Sequence, residues 1–189
     1  MSFLPADYVA PTTNGSYFKV TKEKTKVRIL APAIVGYIDW DKSGTKPKPI
    51  RTRTQQKALW KEQPRHFWAF PIWNYTTERV EIWEVTQATI RNQITTLVMS
   101  DWGDPMEYDL VVSKTGTTMD DTVYFIVTTP TGKSEVSPEI ADKFAKTPLY
   151  LEALFDWMDP FETAQQLLQD ESEKFVWEDG WEEGNLLPF

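Results

Sequence analysis

Between Tyr37 and Trp83 the chain brings flat rings and cations together at high density. The rings are Tyr37, Trp40, Trp60, Phe67, Trp68, Phe70, Trp73, Tyr75 and Trp83. The cations crowd into residues 41–65, where Lys42, Lys46, Lys48, Arg51, Arg53, Lys57, Lys61 and Arg65 face only Asp41 and Glu62. These two residue types together suit an unpaired nucleic-acid strand: bases stack on rings while ammonium and guanidinium groups neutralise phosphates. Arg51 and Arg53 alternate with threonines, so in an extended chain they share a side, where a planar guanidinium holds a phosphate or stacks on a base. The residues expected to touch the strand are Tyr37, Trp40, Lys46, Lys48, Arg51, Arg53, Lys57, Trp60, Arg65, Trp73 and Tyr75. A plainer use exists for both features, since aromatic strands fill cores and charge runs are often solvated faces. Rings on both faces of one strand, and eight cations against two acids, exceed what those uses need.

Positioning such a site falls to strands. Lys26-Val27-Arg28-Ile29-Leu30 alternates basic and apolar residues at the period of a half-buried strand, and Pro32 ends it. Residues 34–40 resume as a second strand, and residues 41–65, broken by Gly44, Pro47, Pro49 and Pro64, read as a long loop of the functional kind. Residues 66–75 (HFWAFPIWNY) and 79–85 (RVEIWEV) form a hairpin around a turn at 74–78. In the first of these strands Trp68, Phe70 and Ile72 share a face and are assigned to the interior. Trp73 and Tyr75, on the other face with Phe67 and Ala69, are assigned to an outer platform. Thr86 is expected to cap a helix over 87–100, with Ile90, Ile94, Leu97 and Val98 on one side. Strands follow over 108–112 and 122–128, joined by a turn around Gly116. The expected fold is mainly β: an OB-fold-like five-stranded Greek-key barrel, with its helix between the third and fourth strands. A helical or disordered acidic C-terminal extension completes it. The expected division is a flexible arm over 1–15, the barrel domain over 16–155, and an acidic segment with an interaction tail over 156–189. Short apolar knots at 149–155 and 161–168 are read as satellites docked on the barrel.

The other chemically suggestive stretch is the end of the chain, residues 177–189 (WEDGWEEGNLLPF). An acidic ribbon closed by Leu186-Leu187-Pro188-Phe189 fits bait for a partner's pocket, its charge steering the encounter. Asp179, Glu182, Glu183, Leu187, Pro188 and Phe189 are the expected partner-binding residues; packing on its own domain is the plain alternative. Charge is divided to match. Residues 1–100 carry 15 Lys/Arg against 8 Asp/Glu, a net of +7, and residues 101–189 carry 5 against 20, a net of −15. The overall −8 therefore conceals a basic front and an acidic back.

Cysteine is absent, which excludes disulfides, thiol nucleophiles and zinc knuckles. The opening residues carry no basic segment leading into an apolar core, and the longest apolar run, 29–35, is far short of a membrane span. A cytoplasmic location, no membrane association and no cofactor are expected.

With these features assembled, the chain resembles bacteriophage single-stranded DNA-binding replication proteins. The residues that carry the resemblance are Lys26–Leu30, His66–Tyr75, Glu81–Gln87 (EIWEVTQ), Asp101–Leu110 (DWGDPMEYDL) and the acidic ending. It covers roughly residues 16–128 plus the tip. Leu187 stands where isoleucine is usual and the acid run before it is sparser, and the zinc ligands of one phage branch are missing. The resemblance implies a non-enzymatic role in the host-cell cytoplasm: coating single strands during DNA replication, recombination and repair. It further implies that the C-terminal tip recruits replication or recombination proteins and that the acidic tail competes with DNA for the basic groove; a homo-oligomer is compatible with it.

Two rivals come from the residues themselves. Twenty acids after residue 100 suit an acidic protein-interaction module or a DNA mimic. Asp101, Asp104, Glu107 and Asp109 offer carboxylates for a divalent ion, as in a metal-dependent nuclease, although their spacing fits no calcium loop.

Overall fold

The structure, a computed structural model, describes residues 17–118 and 120–179, with 171–179 as helical backbone. It is mainly β, one open antiparallel sheet of seven strands with helices against it. The strands are β1 (Thr25–Ile29), β2 (Ile34–Asp41), β3 (Lys48–Thr52), β4 (Arg65–Asn74), β5 (Arg79–Val85), β6 (Tyr108–Thr115) and β7 (Val123–Lys133). Helix α1 (Ala88–Val98) falls between β5 and β6, while α2 (Pro138–Ala145), a 3-10 helix over Leu151–Asp156 and α3 (Pro160–Asp179) follow the sheet. Among the described residues no helix is long and apolar enough to cross a membrane.

Strand β4 organises the sheet. One edge pairs with β2 through Ile34↔Ala69 to Ile38↔Arg65 and then with β1 through Val27↔Asn74 to Ile29↔Ile72. Its other edge pairs with β5 from Trp68↔Val85 to Asn74↔Arg79. The sheet extends from β1 through β6 to β7 and from β2 to β3.

Side-chain alternation along β4 then fixes two apolar layers rather than one. On one face Phe70 and Ile72 meet Val27, Trp83, Leu110 and Ile126, and Ile90 and Ile94 of α1 cover them. On the opposite face Phe67, Ala69 and Ile82 pack with Ile38 under Leu154, flanked by Phe155 and Phe161. Farther along that face Trp73 and Val80 lie under Ile140 of α2. Both faces of the aromatic strand are thus sealed, at roughly 1.5–3 kcal/mol for each large side chain fully buried.

A buried ionic latch holds the second cover in place. Arg28 projects from β1 to Asp109 on β6, with Nε donating to Oδ1 at 2.6 Å. Its remaining donors reach the Ser134 carbonyl at 2.9 Å and the Ser134 hydroxyl at 2.8 Å. The chain is therefore anchored just after β7, where it turns back to lay α2 over Trp73.

Three local expectations change. The stretch 41–65 is not all loop, because β3 forms inside it; Pro49 is tolerated there since β3 is an edge strand, where a missing N–H breaks no ladder. Edge position likewise lets β7 run through Pro130 to Lys133. Helix α1 starts at Ala88 after Gln87 with no side-chain cap. Thr86 contributes its carbonyl instead, which, with that of His66, accepts from the Arg91 guanidinium.

Candidate nucleic-acid interface

Strands β2 and β3 form an arm at one edge of the sheet, with a turn at 42–47 between them and a long return, residues 53–64, leading back to β4. The arm is held down at Gly36. A Cβ there would lie 2.6 Å from the Thr52 carbonyl oxygen, 2.8 Å from the Phe155 ring and 2.9 Å from the Phe67 ring. Only hydrogen fits where β3 and the 3-10 helix approach β2 this closely.

Two indoles stand on this arm. Trp40, opposite Pro49 near the end of β2, is 40% exposed, and Trp60 in the return is 46% exposed. Asp39 ties the two segments together: its carboxylate accepts from the Trp40 N–H at 2.7 Å and from the Leu59 N–H at 3.0 Å. The backbone behind each ring is thereby fixed to one side chain.

The cations divide into two groups. Arg51 faces Glu84 of β5 at 2.7 Å and is largely shielded. Arg53 pairs with Glu152, and its guanidinium lies over the Phe155 ring at 4.5 Å. Both arginines thus grip the protein's own carboxylates and, for Arg53, a ring. Lys42 and Arg65 stand at 3.7 and 3.8 Å from Glu62, in exposed pairs that contribute at most about 1 kcal/mol each. Lys46, Lys48, Lys57 and Lys61 are exposed and make no ion pair among the described residues.

The remaining expected contacts lie elsewhere. Tyr37 is half-buried, edge-on to His66 with ring centroids 5.3 Å apart. Burial and the nearby Arg91 hold His66 below the usual histidine range, so the only imidazole is neutral at pH 7. Trp73 does not belong to an outer platform. It is 4% exposed beneath α2, with the Lys143 ammonium 5.1 Å from its ring centre, and a base would have to displace the helix to reach it. Tyr75 is half-buried beside the latch, its hydroxyl donating to Asp109 at 3.1 Å and Lys26 lying over its ring at 4.2 Å. Burial, then Asp109, pushes its hydroxyl up to about 12.

Three of the four acids in 101–109 are engaged separately. Asp104 accepts from the Met106 N–H, Glu107 pairs with Lys133, and Asp109 sits in the latch; no grouping of three or more possible metal ligands occurs among the described residues. Asp179 ends the described helix, and Glu182, Glu183, Leu187, Pro188 and Phe189 lie outside the described residues, as does the arm expected over 1–15. Reading the sequence passed over Asp39, although an acid on each side of Trp40, Asp39 and Asp41, at the mouth of a basic Gly/Pro loop is a signal for loop-pinning carboxylates. The chain matches no protein-family model, no curated protein and no solved structure.

Proposed function

We propose that this protein binds single-stranded DNA without reading its sequence, through the β2–β3 arm. The observation that carries the reading is the pair of exposed indoles, Trp40 and Trp60, on segments that Asp39 joins through the Trp40 and Leu59 backbone N–H groups, in a stretch with four exposed lysines that make no ion pair among the described residues. Stacking contributes about 1–3 kcal/mol per base and is indifferent to base identity, while lysines follow the phosphates as point charges. Neither interaction carries out a reaction, so the role is coating and protection of strands during replication, recombination or repair. In the same reading the acidic C-terminal tip recruits the proteins that act on the coated strand.

The sheet order supports an OB-type barrel as the scaffold. β1 and β2 act as one bent first strand along β4, β5 follows, α1 crosses, and β6 and β7 continue from the other side of β1. The arm then corresponds to the loop after the first strand, one of those that hold oligonucleotides in such barrels.

Titration of the full chain with oligo-dT should quench tryptophan fluorescence, and added salt should restore it. The Trp40→Ala/Trp60→Ala double variant should lose most of the quench. An unchanged wild-type signal with no oligo-dT bound would remove the reading.

A further inference from the structure

Beside the arm the structure holds a cavity of about 760 Å³, in the size range of small-molecule sites. Its walls come from four places: the start of the described chain, β3, Glu84 of β5, and the turn between the 3-10 helix and α3. The turn presents Trp157, 53% exposed, with the exposed thioether of Met158 beside it.

Trp157 has φ 65°, the left-handed conformation in which a helix ordinarily stops on glycine. A side chain larger than glycine's is strained there, and an indole half open to water recovers only part of that strain through packing. Backbone strain held at a cavity mouth points to a use for the ring itself.

The charged lining divides cleanly. Arg51 and Glu84 neutralise each other at 2.7 Å. Asp159 accepts from the Phe161 and Glu162 N–H groups at 2.9 and 3.0 Å, capping α3. Lys19 and Lys48 are left, both exposed and with no ion pair within 4 Å among the described residues, although Lys48 stands in register with Asp41 and its charge helps to lower that carboxyl. One flat ring, one polarizable sulfur and two exposed ammonium groups match a nucleotide, with its base against the indole and its phosphate near the lysines.

We propose that this cavity is a nucleotide subsite, in which Trp157 stacks a base and Lys19 and Lys48 hold the adjoining phosphate. The inference rests on the single-strand reading of the arm and extends it, because Lys48 belongs to both the arm and the cavity wall. A nucleotide within a strand and a free mononucleotide offer the same chemistry, and the test separates them.

Trp157→Gly removes the ring at a position whose backbone suits glycine, so the fold should persist, as a circular-dichroism melt will show. Its affinity for fluorescein-labelled oligo-dT should fall by roughly 5- to 150-fold, the range of one lost base stack. Trp157→Phe should retain most of the wild-type affinity. In the wild type, the indole N–H resonance assigned to Trp157 by its loss in the glycine variant should shift on adding oligo-dT. A saturating shift with dTMP as well assigns the cavity to free nucleotides too, and a shift with oligo-dT alone assigns it to a nucleotide within a strand. Wild-type affinity in Trp157→Gly, with an indole resonance that neither ligand moves, would overturn the subsite. If Trp40→Ala/Trp60→Ala still weakened binding in that case, the arm would stand without it.

Discussion

Asp109 is a buried carboxylate of β6 on which three side chains meet. Arg28, Lys26 and Tyr75 all converge on it, and Arg28 carries the connection on to Ser134. Burial alone would raise its carboxyl pKa; hydrogen bonds and charge from Lys26 and Arg28 outweigh that and hold it below the usual carboxylate range. A lowered folded-state pKa means stability that is fully present above the unfolded value near 3.9 and is lost as pH falls through the folded one. This group should therefore leave the denaturation midpoint independent of pH near neutrality and make it decline on acidification below about pH 4. Asp109→Asn should remove that component of the acid decline. It should also destabilise by about 3–5 kcal/mol at neutral pH, since Arg28 is left buried without its counter-charge. Urea denaturation of both proteins across the acid range checks both effects; an unchanged neutral midpoint would show that the latch contributes little.

Gly36 shows how tightly the arm is seated. With the Thr52 carbonyl oxygen 2.6 Å from where a Cβ would go, Gly36→Ala must push β3 or Phe155 away. Overpacking of this kind costs about 1–3 kcal/mol, so the melting midpoint should drop, and oligo-dT affinity should weaken as the arm shifts. A midpoint equal to wild type would mean that the arm yields freely. The main strands were legible because their apolar residues repeat at two, and the split of β4 into Trp68/Phe70/Ile72 and Phe67/Ala69/Trp73 followed from the same period. What covers the second face was legible only in part. The apolar knots at 149–155 and 161–168 read as segments that dock, and Leu154, Phe155 and Phe161 do pack beside Phe67, but no local pattern around Ile140 announces that it lies over Trp73. Hence Trp73 read as a platform ring when it is a core ring. β3 was hidden differently: Pro47 and Pro49 signal a loop, and only the pairing with β2 reveals an edge strand. Of the cations, composition exposed the cluster but not its division, because Glu84 and Glu152 lie far from Arg51 and Arg53 in sequence.

Across the whole chain, a net charge of −8 opposes the approach of a polyanion. Charges farther apart than about 8 Å are largely screened at physiological salt, so a strand on the arm responds mainly to the lysines beside it. Those lysines should leave a measurable signature. Each one engaging a phosphate releases a counterion and adds about −0.7 to the slope of log affinity against log salt for a single strand. The most direct test is that slope for oligo-dT, measured on the full chain and on a variant with Lys46, Lys48, Lys57 and Lys61 changed to Gln. The expected result is tight binding at low salt, with a slope that flattens by up to about 2.8 in the variant if all four lysines engage. Absence of binding at low salt, or a slope that the four changes leave where it was, would contradict a single-strand site on the β2–β3 arm.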